Sequence, residues 1–552
     1  MAVVPERIFD DLVLMSMMRI SAIHMADTNE CGGRFIACAG SGGCVYVSFF
    51  EQPCQRHYSM KSFFELLRHV RHNSIVGADV AISHITYDSR AAGIGSVFVA
   101  RKGSMVDGHG FIAEAVARGC RAIVCEHLPA SFIVPENVSY ALVDCAPVAL
   151  AELSHAFYDF PTRFMTMIGV TGTNGKTSCA VMIKQLLEAH GCVTGLIGTT
   201  GSFIGSESLP SDLTTPEAPE LCALFDRMRR AGVSHIVMEV SSHALALRRV
   251  YGIDFSVAVF TNLTQDHLDF HGTMDAYADA KSLLFESLRH DAVACVWSDD
   301  AYARNMLRRC TATIHTIGTR VPEITESSII HHTISDIACS TEGIAYSVDT
   351  MRVTAPLFGA FHVANTALAY IVLSTLGKNV ERTVTAMRTL RGAPGRMEIV
   401  KVGSIMGIVD YAHTPDALEK TLSSVRDVMS ASQKLLVVVG CGGDRDKSKR
   451  PIMAAIACAK ADELWLTSDN PRTEDPQIIL REMLQGISEM PLELRRAHYR
   501  AQVDRRSAIE EAVHAAQPGD MVVVAGKGHE TYQIIGKQRF PFDDRLVLRS
   551  TL

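Results

Sequence analysis

The stretch "TGTNGKTS", residues 171–178, follows the apolar run "FMTMIGV" (164–170) and precedes "CAVMIKQLLEAH" (179–190), whose apolar residues recur at helical spacing. Strand, glycine-rich turn and helix in that order form a setting in which backbone N–H groups and a helix N-terminus hold phosphate. Lys176 stands where a lysine reaches the β- and γ-phosphates, and Thr177 where a hydroxyl meets Mg²⁺. The common spacing G-x-x-x-x-G-K-[ST] asks for glycine at position 170, which is Val170 here. Gly172 and Gly175 nevertheless allow amide groups to face an anion. Such a loop marks a nucleotide site without choosing among kinases, ATPases and ligases.

Working outward, 552 residues are too many for one core. With 47% hydrophobic and 20% charged residues the chain has the composition of a globular protein. A formal charge of −7 offers no basic field for nucleic acid, and no apolar run reaches the roughly 18 residues of a membrane span. The 15 cysteines form no C-x-x-C pair, which argues against a disulfide framework or structural zinc and for a reducing, cytoplasmic setting. Residues 1–59 carry no strand–helix alternation, so an over-extended start or a disordered tail is expected there, with Met60 as the functional start.

From Met60 the pattern is regular. "ISHITYDSR", "GSVFVA", "RAIVCE" and "YALVDC" alternate with "GFIAEAVARG" to about residue 160. A second block runs through "GLIG", "HIVMEV" and "FSVAVFTN", and a third through "KLLVVVG", "ELWLTSD" and "MVVVAGKG". Short buried-strand runs between helices predict mostly parallel sheets, hence an α/β chain of three domains: 60–160, 161–392 and 393–552.

Ligands collect where strands of such sheets end. "MEVSSHAL" (238–245) ends a strand with Glu239, a hard oxygen donor of the kind Mg²⁺ takes. "FTNLTQDHLDFHG" (260–272) follows another strand and contains His267. "DAYADAKSLLFESL" (275–288) reads as a helix with Tyr277, Lys281 and Phe285 on one face, where a lysine would ordinarily snorkel to water.

The loop with Glu239, His267 and Lys281 resembles the Mur ligase superfamily, which includes the peptidoglycan amino-acid ligases and folylpolyglutamate synthase. The resemblance runs from Met60 to the C-terminus, and Val170 is then that family's own variant. It implies a three-domain architecture: a small UDP-sugar-binding domain, a central ATP-binding domain and a C-terminal Rossmann-like domain that binds the amino acid. It implies ATP held by Gly172, Thr173, Asn174, Gly175, Lys176 and Thr177. Asn365 in "GAFHVANTALA" matches the adenine side, Arg396 in "GAPGRME" the phosphates, and Asp410 in "VDYAHTPDAL" the ribose. It further implies two Mg²⁺ ions near Thr177, Glu239, His267 and a Lys281 carbamylated by CO₂. Asp416 reads as helix-start chemistry behind Pro415, and His362 replaces an asparagine common in relatives.

"YDSR" (87–90), "LTTPEAPEL" (213–221), "GCGGDRDKSKRP" (440–451), "TSDNPRTEDP" (467–476) and "AGKGHETYQ" (525–533) resemble the branch that adds the third residue of the peptidoglycan stem peptide. By that resemblance Ser89 and Ser104 lie near the uridine diphosphate, and Thr214, Thr215, Ser241 and Arg249 meet the muramoyl dipeptide. Leu247 departs from a glutamine there, and Ser448 from a glycine. The diamino acid falls to Arg445, Asp469, Asn470, Pro471, Arg472, Gly526 and Glu530. The expected reaction is ATP-dependent amide formation on UDP-N-acetylmuramoyl-L-Ala-D-Glu, by a monomer. Arg472 can hold a distal carboxylate, which favours meso-diaminopimelate over lysine or ornithine, unless it pairs with Glu474 or Asp475. A folylpolyglutamate synthase or a non-catalytic P-loop protein are the alternatives.

Overall fold

The computed structural model describes residues 60–103, 106–209, 213–321, 329–402 and 404–552. The expectations for residues 1–59 and for Ser104 therefore fall outside the described residues. Among those described, three main sheets carry the fold.

The first sheet has the order Ser74–Val76, Ser139–Leu142, Ala122–Cys125, Ser96–Val99, His84–Thr86. Only Ser74–Val76 runs antiparallel to its neighbour. The "MKSFFELLRHV" stretch yields a helix only over Phe63–Leu67, capped by Ser62 Oγ accepting from Glu65 N.

The second sheet has eleven strands, and its parallel centre follows from the sequence. Val257–Phe260 is buried along its whole length and Thr166–Thr171 nearly so, as a strand covered on both faces requires. Thr166–Thr171 lies between His235–Glu239 and Val257–Phe260. The next strand in sequence, Thr194–Gly198, lies on the His235–Glu239 side, while Val257–Phe260 continues the other way. Thr166–Thr171 is thus the strand at which the order reverses, and ligands bind at its carboxyl end in open sheets of this kind. Antiparallel pairs extend both edges; at one, Ile329–Ser340 joins the sheet in parallel and then pairs antiparallel with Gly343–Val348, which pairs likewise with Met351–Ala355.

The third sheet runs Glu398–Val402, Ile405–Asp410, Met521–Ala525, Leu435–Cys441, Glu463–Ser468, His498–Gln502, with only the first pair antiparallel. All seven residues of "LLVVVGC" (435–441) are buried. The helix Pro415–Arg426 starts behind Thr414, whose hydroxyl accepts from Ala417 N, and Pro476–Ser488 starts behind Asp475, which accepts from Gln477 N. Proline at the first helical position suits both, since its missing N–H would have had no partner there. Among the described residues no helix is long and apolar enough to cross a membrane.

Candidate active site

The phosphate loop leaves the strand at Thr171, and the helix Lys176–Ala189 begins directly after Gly175. Gly172 (φ 145°) and Gly175 (φ 86°) adopt backbone that side chains avoid. A Cβ on Gly172 would collide with Thr261 Oγ1, and one on Gly175 would lie 2.5 Å from Asn365 Oδ1. Asn365, buried on the helix Phe361–Thr375, therefore packs against the loop. Lys176 Nζ donates to the carbonyls of Gly172 and Thr173 at 2.9 and 2.8 Å. Burial pushes its pKa down, while Glu239 and Asp266 oppose that shift.

Thr177 Oγ1 donates to Glu239 Oε2 at 2.9 Å, so the two residues expected to share Mg²⁺ are in contact. Glu239 is 1% exposed and its carboxylate is held further by Thr199, which donates from N at 2.8 Å and from Oγ1 at 3.1 Å. The sequence reading missed Thr199, which has no signature beyond following the strand Thr194–Gly198. This carboxylate–hydroxyl pair at the loop supplies the hard oxygen donors that Mg²⁺ accepts.

Lys281 approaches the loop from the other side. The helix Met274–Glu286 starts behind Thr273, whose Oγ1 accepts from Ala276 N, and buries Tyr277, Lys281 and Phe285 as its spacing predicts. The snorkelling alternative fails: Lys281 is 1% exposed, and Nζ donates to Gly172 O at 2.8 Å, 4.5 Å from the Tyr277 ring centre. That carbonyl also receives Lys176, so two amines converge on one oxygen. Burial, and then the charge of Lys176, hold the Lys281 pKa well below that of an ordinary lysine. His267 sits at φ 54° before the short helix Leu268–His271 and meets Asp266 at 3.3 Å. Burial keeps its imidazole toward the neutral form, and its ring lies 4.8 Å from that of His243.

The residues expected on the dipeptide lie beside Glu239 and Thr199 or on Glu217. Thr215 Oγ1 donates to Glu239 O at 2.9 Å and lies 3.4 Å from Ser241 Oγ, and Thr214 Oγ1 lies 3.1 Å from Thr199 Oγ1. Arg249 pairs with Glu217 at 2.8 Å, and Arg101 of the first sheet's segment meets the other Glu217 oxygen at 2.8 Å. Glu217 thus ties two segments together, a role invisible in "LTTPEAPEL". Ser89 stands apart, with Oγ 3.4 Å from Glu114 Oε2.

The third sheet's segment reaches the loop just past one of its strand ends. Asp410, at the end of Ile405–Asp410, accepts from Met397 N (2.7 Å), Ala412 N (2.8 Å) and Thr421 Oγ1 (3.1 Å). It thereby fixes the backbone beside Arg396, whose guanidinium lies 4.3 Å from the Tyr411 ring centre. Asp416 does more than start a helix: its Oδ2 accepts from Asn174 Nδ2 at 2.7 Å and Thr264 Oγ1 at 3.0 Å, joining the third sheet's segment to the phosphate loop.

Farther along, Glu474 does not hold Arg472. It is taken by the fully buried Arg450 at 2.9 Å and by Lys447 at 3.2 Å, and Asp475 caps its own helix. Arg472, at φ 51°, donates from Nη1 to Gly443 O at 2.8 Å, and among the described residues no carboxylate pairs with it. A left-handed arginine is strained backbone of the kind that accompanies function. Arg445 is exposed, but a Cβ on Gly442 would lie 2.9 Å from Arg472 Nη1 and 3.8 Å from Arg445 Cγ, so the two arginines pass beside one point. Asn470 Nδ2 donates to Glu530 Oε2 at 2.8 Å, while Asp469 is buried beside Gly526.

A phosphate loop bonded through Asn174 to the third sheet's segment, with a carboxylate and an amine on its two sides, defines a nucleotide-dependent protein built from several segments. Three family descriptions match in succession: "Mur ligase family, catalytic domain" over residues 81–158, "Mur ligase middle domain" over 170–373 and "Mur ligase, glutamate ligase domain" over 395–528. The UDP-N-acetylmuramoyl-L-alanyl-D-glutamate--2,6-diaminopimelate ligase of Geobacillus kaustophilus is 44% identical over 489 residues, covering 86% of this chain and 96% of its own. The enzyme of the same name from Chlorobaculum tepidum is 43% identical over 486 residues, covering 86% and 93%. A solved structure bearing that name superposes with a TM-score of 0.60 at 34% identity, covering 85% of this chain and 94% of that one. A folylpolyglutamate synthase from Mycobacterium tuberculosis, complexed with ADP and AMPPCP, shares the fold at 18% identity, over 69% of this chain and 92% of its own, with a TM-score of 0.55. The chain belongs to the Mur ligase family of ATP-dependent ligases.

Proposed function

We propose that this chain joins meso-2,6-diaminopimelate to the D-glutamate side chain of UDP-N-acetylmuramoyl-L-alanyl-D-glutamate at the expense of ATP, in peptidoglycan precursor synthesis in the cytoplasm. The single observation behind the choice of diamino acid is Arg472, an arginine without a carboxylate partner in a loop whose acids are otherwise committed. The names of relatives at 38–44% identity agree with it.

In this reading the three segments 60–160, 161–392 and 393–552 take the nucleotide-sugar, ATP and the diamino acid. Gly172 to Thr177 hold the phosphates through backbone amides and the Lys176 ammonium, with Asn365 on the adenine side, Arg396 on the phosphates and Asp410 on the ribose. Thr214, Thr215, Ser241 and Arg249 orient the dipeptide, with Ser89 and Ser104 toward the uridine diphosphate. Thr177 and Glu239 would hold one Mg²⁺, and His267 with carbamylated Lys281 a second; bound there, the ions would neutralise charge on the transferring phosphoryl group. The glutamate carboxylate attacks the γ-phosphorus and ADP departs, leaving an acyl phosphate. The diamino acid's amine then attacks the acyl carbon, and phosphate leaves as the amide forms. Asp416, bonded to Asn174, keeps the amino-acid segment against the loop and water away from the acyl phosphate.

The distal carboxylate of diaminopimelate meets the Arg472 fork, its distal ammonium Glu530, and its other carboxylate Arg445. Asp469, Asn470, Pro471 and Gly526 complete the wall. Lysine and ornithine lack the distal carboxylate and would leave Arg472 desolvated without a partner, a loss of about 1–3 kcal/mol. Specificity constants for the three amino acids in wild type and Arg472→Ala test this. Wild type is expected to prefer diaminopimelate, and Arg472→Ala to lose that preference. Preference of wild type for lysine or ornithine would overturn the assignment.

A further inference from the structure

Lys527 has no part in that scheme, yet it is a fully enclosed charge at the amino-acid end, with 0% exposure. It follows the strand Met521–Ala525 in "GKG" and turns inward. Nζ donates to Glu530 Oε2 at 2.8 Å and to Asn470 Oδ1 at 3.0 Å, and lies 3.6 Å from Asp469 Oδ1. Asn470 Oδ1 also accepts from Ile534 N at 2.9 Å, so its oxygen is fully engaged and its Nδ2 is forced toward Glu530 Oε2. Glu530 Oε2 therefore receives two donors, and Oε1 remains for an external one.

Deepening the proposed function and resting on it, we infer that Lys527 is a positioning residue that sets specificity for the diamino acid through charge. Around the distal end, the carboxylates of Asp469 and Glu530 are balanced by Lys527 and Arg472. A neutral pocket suits a distal end that carries both an ammonium and a carboxylate. Lysine and ornithine bring an uncompensated cation, which the balanced pocket does not attract. Without Lys527 the same walls carry a net negative charge that favours a bare ammonium. Because Lys527 has no exposed surface, it does not touch substrate and acts through its charge and through Glu530 and Asn470.

The test is Lys527→Met, which keeps the volume and removes the charge, assayed for kcat/KM with meso-diaminopimelate and with L-lysine. The expected result is a shift of the ratio toward lysine by on the order of ten- to a hundredfold, with KM for ATP unchanged. A merely structural defect would lower both constants together, and an unchanged ratio would overturn the inference. If Lys527→Met does not fold, Lys527→Gln, which retains a donor for Glu530, carries the same comparison. Wild type that ligates neither amino acid overturns the proposed function instead, so the two failures are distinguishable.

Discussion

Replacing Lys281 by alanine is the perturbation whose outcome follows most directly from the geometry. Lys281 and Lys176 donate to the same carbonyl, that of Gly172, at 2.8 and 2.9 Å. Two ammonium groups held this close repel, and Lys281 is the one whose pKa burial and its neighbour drive well below the ordinary lysine value. In the proposed reading its amine attacks CO₂, loses a proton and becomes an anionic carbamate. The repulsion then becomes attraction: opposite unit charges about 4 Å apart interact by about 4 kcal/mol at an effective dielectric of about 20. Losing one charge-stabilising group of this kind costs about 3–4 kcal/mol in the transition state, so Lys281→Ala should turn over about 10²–10³-fold more slowly. Phosphate release reports the rate, thermal unfolding confirms that the variant is folded, and ¹³C spectra after labelling with ¹³C-bicarbonate report the carbamate. The signal should appear in wild type and vanish in Lys281→Ala, and a short carboxylate should restore part of the rate. Full activity in the alanine variant would refute the reasoning.

Other expectations follow from single contacts. Gly175→Ala forces a methyl onto Asn365 Oδ1 at a φ of 86°, so kcat/KM for ATP should fall at least about tenfold while stability drops by about 1–3 kcal/mol, read by steady-state kinetics and urea unfolding. Asp544→Ala strands the fully buried Arg505, whose Nη2 pairs with Asp544 at 2.7 Å, and should cost about 3–5 kcal/mol in urea unfolding. Asp416→Ala cuts the bonds to Asn174 and Thr264 and should lower kcat about tenfold with the fold intact. Burial without a charged partner pushes His362 down to about 4. The unfolded chain therefore takes up a proton below its ordinary value of about 6.5 while the folded chain does not, so stability is full above 6.5 and falls as pH drops toward 4. The loss reaches about 3 kcal/mol at pH 4, and His362→Asn should flatten that part of the urea-measured profile.

What was legible in the sequence was whatever burial on both faces imposes. Runs such as "LLVVVG" and "VAVF" read as parallel strands because nothing polar interrupts them. The hairpin strands Ile329–Ser340 and Gly343–Val348 escaped notice, since they are only partly buried and their residues mix polar with apolar. At the site, the loop, Glu239 and the helix face of Lys281 were legible from their positions after strands or at helical spacing. Thr199, Asp416's reach to Asn174 and the enclosed Lys527 were not, because each depends on a partner 40 or more residues away or on which way a side chain turns. Lys527 did carry a local sign: it stands between two glycines, and at Gly528 the backbone comes so close to Gly395 that a Cβ would lie 2.6 Å from its carbonyl oxygen.

The central claim is that phosphate leaves ATP only onto the glutamyl carboxylate and is released when a diamino acid attacks. The most direct measurement is phosphate release from ATP with each substrate omitted in turn, with the product identified by mass. Sustained release is expected only when UDP-N-acetylmuramoyl-L-alanyl-D-glutamate and meso-diaminopimelate are both present, one phosphate per amide formed. Release that ignores the dipeptide, or phosphate without amide, would contradict it.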